Sequence, residues 1–117
     1  MFCGDGKKFL AMEKIKMGIL FEIRTPLGVK IRITEDYWNY LIEVKHPVMK
    51  GKEDLVQEIL TNPDEIRRST IDENVCLYYK RIERLYCVVT KGIDGEGFII
   101  TAYPTDKIKE GRTIWKR

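Results

Sequence analysis

The chain has 117 residues, of which 44% are apolar, 33% charged and 10% aromatic, enough for one buried core, too little for two, and unlike disordered or fibrous compositions. The net charge of +3 is small but uneven: residues 35–65 carry eight acidic and three basic groups, and residues 66–117 carry eleven basic and seven acidic. Apolar runs are only a few residues long, Gly18-Ile19-Leu20-Phe21 among them, which excludes a spanning helix and a signal-peptide core and makes the cytoplasm the expected compartment.

Residues 1–16 read as a polar, Lys-rich lead-in, and residues 17–117 as a single domain. Met17–Ile23 and Val29–Ile33 flank the turn-like Arg24-Thr25-Pro26-Leu27-Gly28. In the second run Val29, Ile31 and Ile33 alternate with Lys30, Arg32 and Thr34, so the pair predicts a β-hairpin. At Thr34 the period changes. A hydroxyl followed by Glu35 and Asp36 is a helix start, and Trp38, Leu41, Ile42 and Lys45 then share one face. Pro47 disfavours helical backbone at His46 and ends that helix, leaving the only histidine at a rigid corner. A second helix is expected over residues 52–61, striped by Leu55, Val56, Ile59 and Leu60, and stopped by Asn62-Pro63.

The rest reads as strands over residues 66–70, 75–81, 85–91 and 97–103, joined by short connections that favour antiparallel neighbours. The expected fold is therefore α+β: an N-terminal β-hairpin, two α-helices, then a four-stranded antiparallel sheet with the helices packed on one face. Asp94-Gly95 suits a tight hairpin turn and sets Lys91 opposite Phe98, Val89 opposite Ile100 and Cys87 opposite Ala102. A turn at Ile82-Glu83-Arg84 sets Tyr79 opposite Cys87 and Leu77 opposite Val89. One face then gathers Val75, Leu77, Tyr79, Leu85, Cys87 and Val89 with Phe98, Ile100 and Ala102, and is expected to be the core. The other gathers Tyr78, Lys80, Tyr86, Thr101 and Tyr103, with Cys76, Val88, Thr90 and Ile99.

That second face is the expected site. Tyrosines on adjacent strands stack on bases, and Lys80, Arg67 and Arg68 meet phosphates, with Ser69 beside them; a slip of one residue would put Tyr79 in place of Tyr78. The plainer alternative is an ordinary solvated sheet face, since Tyr and Thr are common in strands. Cys3, Cys76 and Cys87 lack CxxC spacing, so reduced thiols are expected and neither a disulfide framework nor a zinc site is indicated. No phosphate-binding glycine loop, metal-hydrolase or serine-elbow motif is present, so no cofactor and no metal are expected.

Five segments in this order and spacing carry a resemblance: Ile31-Arg32-Ile33-Thr34; His46-Pro47-Val48-Met49; Asn62 through Ser69; Leu77-Tyr78-Tyr79-Lys80; and Phe98 through Tyr103. Over about residues 19–115 the chain resembles small prokaryotic and phage domains of the barnase–EndoU–colicin–RelE superfamily of metal-independent ribonucleases. The histidine-proline pair of that group is often followed by an acidic residue, where Val48 stands here. The resemblance implies a toxin-like endoribonuclease with RNA as substrate and a proteinaceous antitoxin or inhibitor as partner. It cuts by attack of the 2′-hydroxyl, leaving a 2′,3′-cyclic phosphate. His46 is then the proton-transfer group, Arg67, Arg68 and Lys80 hold phosphate, and Thr101 and Tyr103 bond or protonate the scissile group. Tyr78, Tyr79, Tyr86 and Ser69 contact substrate. Two other readings use the same residues: a non-catalytic single-stranded RNA-binding module, and a protein-interaction domain anchored by Trp38, Trp115 and the tail Ile108–Arg117.

Overall fold

The computed structural model describes residues 18–108 and 111–117; the expected lead-in over residues 1–16 lies outside them. The hairpin forms as β1 (Ile19–Arg24) and β2 (Lys30–Thr34), closed by Gly28 at φ +80°, a backbone that favours glycine. The Thr34 hydroxyl accepts from the Tyr37 N–H and caps α1 (Glu35–Tyr40), whose first-turn Glu35 and Asp36 face the positive helix end. The helix then widens into a π-helical turn over Leu41–Lys45, where the His46 N–H donates to the Leu41 carbonyl at 2.7 Å. Pro47 opens a 3-10 turn, Pro47–Met49, and α2 follows over Glu53–Thr61. The strands β3 (Glu65–Arg68), β4 (Val75–Ile82), β5 (Arg84–Ile93), β6 (Glu96–Thr105) and β7 (Arg112–Lys116) complete the fold.

The α+β class stands, but the expected four-stranded sheet does not. All seven strands belong to one mixed sheet in the order β1-β2-β6-β5-β4-β3-β7. β3 to β6 make the antiparallel meander that the short connections require. The hairpin extends it because β2 pairs in parallel with β6, Lys30 to Arg32 against Glu96 to Phe98. On the far side β7 pairs antiparallel with β3. Alternation reports that a segment is a strand; it carries no information about which strand satisfies its outer amides and carbonyls. The tail Arg112–Lys116, expected as an interaction anchor, is that edge strand, and its Trp115 packs against the main core. Trp38, the other expected anchor, is buried in that core.

The turn-based register holds in β4–β5, where Tyr79 faces Cys87 and Leu77 faces Val89, with Glu83 alone at φ +67° between paired Ile82 and Arg84. It holds at the start of β6 too, with Asp94 at φ +58° and Gly95 at φ +84°, and Lys91 opposite Phe98. Then a bulge intervenes. Thr90 faces Ile99 and Val89 faces Thr101, so Ile100 is the extra residue and Cys87 faces Tyr103 instead of Ala102.

The inside and outside of the sheet are the reverse of the expectation. Trp38, Leu41, Val56, Ile59 and Leu60 from the helical layer pack on Tyr78, Tyr86, Val88 and Ile99, residues of the face expected to be open, together with Ile66 and with Ala102, which the bulge moves over from the expected core face. Each fully buried side chain of this kind stabilises by about 1.5–3 kcal/mol. A tyrosine belongs there when its hydroxyl finds a partner, and the Tyr78 hydroxyl donates to the buried Thr25 Oγ1 at 3.0 Å. The opposite face holds a smaller cluster, Leu77, Tyr79, Leu85 and Cys87, on which Val89, Tyr103 and Ile108 pack. Three strands separate β6 from β7 in the sheet, and Ile108, three residues past the end of β6, packs on this face.

Candidate functional site

The bulge at Ile100 turns a backbone carbonyl to the edge of β6 that no strand covers among the described residues, beyond the short stretch paired with β2. Two helical side chains meet it: the Tyr37 hydroxyl donates at 2.6 Å and the Lys45 ammonium at 3.4 Å. These bonds hold α1 and the π-helical turn against the strand edge. His46, the next residue, is carried around that edge to Tyr103. The two rings lie 5.3 Å apart between centroids and are tilted by 42°, within the range of favourable ring contacts. Partial burial, and then the Lys45 charge, hold the His46 imidazole below its ordinary value of 6.5, so it is neutral at pH 7.

Thr101 lies two residues before Tyr103 on the same face of β6, and its buried Oγ1 has no hydrogen-bond partner among the described residues. Of the six expected catalytic residues the structure sets His46 against Tyr103, with Thr101 two residues away on the same strand. The Lys45 charge acts on His46 from the preceding position. In the sequence Lys45 reads as one residue of a helix face; only its place beside His46 signals that contact.

Arg67, Arg68 and Lys80 stand elsewhere. β3 is three strands from β6, or about 14 Å at normal strand spacing, so neither arginine reaches His46 through the sheet. Arg67 is committed to structure: its Nε donates to Glu65 Oε2 at 2.7 Å and a terminal nitrogen to the Gly111 carbonyl at 3.3 Å. The hydroxyl of Thr113, with Arg67, holds the Glu65 carboxyl below its usual range against the opposing effect of burial. Arg68 falls on the helical face beside Cys76, whose thiol burial pushes up. Lys80, its side chain only 13% exposed, lies 3.6 Å from Asp64 on that face.

The expected substrate contacts are also dispersed. Tyr78 and Tyr86 are buried beneath the helices, and burial raises Tyr78 to about 12. Tyr79 lies on the opposite face but is 3% exposed. The Ser69 hydroxyl accepts from the Ile71 and Asp72 N–H groups at 3.1 and 3.3 Å, the ordinary work of a turn residue. These positions fail as a stacking platform because alternation separates a strand's two faces without saying which one the helices cover.

Among the described residues no group of three or more His, Cys, Asp or Glu is placed to hold a metal ion, and no helix is long and apolar enough to cross a membrane. No protein-family model, curated protein or solved structure matches the chain.

Proposed function

We propose that the protein is a metal-independent endoribonuclease acting at the free edge of β6, with His46, Tyr103, Lys45 and Thr101 as its reacting group. The observation that carries the reading is the contact of the one histidine with Tyr103, where partial burial and then the Lys45 charge disfavour the imidazolium. A neutral imidazole accepts the proton of a 2′-hydroxyl. The freed oxygen attacks the adjacent phosphorus as the bond to the 5′-oxygen breaks, closing a 2′,3′-cyclic phosphate. Lys45 offsets the charge that builds on the phosphate oxygens, Thr101 hydrogen-bonds one of them, and the Tyr103 phenol protonates the departing 5′-oxygen. A purely stacking RNA-binding surface is less well supported, since Tyr78 and Tyr86 lie in the core.

The test is cleavage of an unstructured RNA in the presence of a chelator, with product ends read for cyclic phosphate. Wild type cuts; His46→Ala and Tyr103→Phe each lose about 100-fold or more, the usual contribution of a positioned acid or base. Wild-type protein purified free of any inhibitor that leaves the RNA intact overturns the proposal. Salt-sensitive binding without cleavage would instead identify a binding module.

A further inference from the structure

A second set of groups converges at the other end of the sheet. The β1–β2 turn, the loop between β3 and β4 and the β5–β6 turn enclose a cavity of about 280 Å³. That volume holds about nine waters at ~30 Å³ each, near the lower end of small-molecule sites. Gly95 on its lining lies eight residues before Tyr103, about 26 Å at normal strand rise, so the cavity is separate from the His46 edge.

Its lining is divided by chemistry. Leu27 and Val29 of the hairpin and Ile31 of β2 supply an apolar wall, and Arg68 supplies the cation. The Nε of Arg68 is buried and has no hydrogen-bond partner among the described residues, and the thiol of Cys76 lies within hydrogen-bonding reach of the guanidinium. No carboxylate pairs with Arg68 among the described residues, in contrast to Arg67, one position earlier, which Glu65 and a carbonyl occupy. A guanidinium that lines a pocket without a carboxylate partner calls for an acceptor, and the acceptor its terminal nitrogens match best is a planar carboxylate taken two-pronged. Glu73 and Asp94 on the same lining disfavour a dianion, and the hydrocarbon wall rewards a tail.

We propose that this cavity is a binding site for a small monocarboxylic acid with an aliphatic tail, its carboxylate held by Arg68 and its tail against Leu27, Val29 and Ile31. The site is independent of the ribonuclease reading and survives or fails without it.

Titration of the isotopically labelled full-length chain with hexanoate, hexanamide or inorganic phosphate tests it, read at the Arg68 Nε–H and at the Leu27 and Val29 methyl resonances. Hexanoate shifts them saturably, while the neutral amide and phosphate each bind about tenfold more weakly or worse. Arg68→Met, which keeps an unbranched apolar stem but has no donors, abolishes the response. Leu27→Trp fills the cavity while leaving Arg68 in place and also abolishes it, which decides the matter should Arg68→Met fail to fold. The His46 ring resonance stays unmoved by hexanoate in all cases. Hexanoate that moves none of the cavity resonances, an amide or phosphate that binds as well, or a Leu27→Trp variant that binds like wild type overturns the proposal.

Discussion

A chain with one histidine reports its own site chemistry without ambiguity, because a single imidazole signal titrates. Burial and Lys45 both disfavour the imidazolium, so the His46 midpoint is expected below 6.5 by proton resonance. Lys45→Gln raises it part of the way back, burial being the larger cause; an unmoved midpoint would remove Lys45 from the site. The sign for stability follows from the same shift. Above the unfolded value both states are neutral and the group contributes nothing; as pH falls below 6.5 the unfolded chain takes the proton more readily, and stability declines until the folded midpoint is passed. The acid limb of any cleavage rate then lies below 6.5 and moves upward in Lys45→Gln. Tyr78 offers a control away from the site: Tyr78→Phe leaves the buried Thr25 hydroxyl only its bond from the Leu27 N–H and should cost about 1 kcal/mol in denaturant melts, with cleavage unchanged.

Between elements, the β5–β6 hairpin contains two kinds of glycine that substitution can separate. Gly92 and Gly97 face each other across the strands, and a Cβ on Gly97 would lie 2.7 Å from the Lys91 carbonyl and 2.9 Å from Gly92. Gly95 sits at φ +84° with open space around it. Gly95→Ala is therefore expected to cost about 1–2 kcal/mol from backbone strain alone, and Gly97→Ala more, through lost pairing. Equal melting temperatures for the two variants would refute the close approach. The same hairpin shows how far the sequence could be read. Asp94-Gly95 fixed its register as far as Lys91 and Phe98 because turn geometry propagates along a ladder until something interrupts it. Ile99-Ile100-Thr101 interrupts it with no glycine or proline to mark the bulge, and the contact that gathers His46 beside Tyr103 depends on that unmarked residue. The helix start at Thr34 and the corner at Pro47 were legible for the opposite reason: their side chains act on their own backbone. The covered face of the sheet was not, since Leu77, Leu85 and Cys87 form as apolar a set as Tyr78, Tyr86 and Val88, and only tertiary packing chooses between them.

On the scale of the whole molecule, the sheet order joins distant parts of the chain at both flanks. β2 waits for β6, and β3 waits for β7. Removal of residues 112–117 strips Thr113 from Glu65, Arg117 from Asp64 and the Trp115 packing from the core. The truncated chain should lose about 3 kcal/mol or more and self-associate through the bared edge of β3, visible as a lower melting temperature and earlier elution on size exclusion. A monomeric truncation that melts like the full chain would contradict the role given to β7. The charge asymmetry also acquires a location: the acidic residues 35–65 run mainly through the helical layer and its turns, leaving the basic surplus to the flanking strands and loops.

The packing of Ile108 over Leu77, Tyr79 and Cys87 has a temporal side. The strands beneath precede Ile108 in the chain, so a folding molecule whose sheet has formed displays an apolar patch until the segment after β6 docks. That interval is when a chaperone, or a second nascent copy, meets a surface the finished protein keeps hidden.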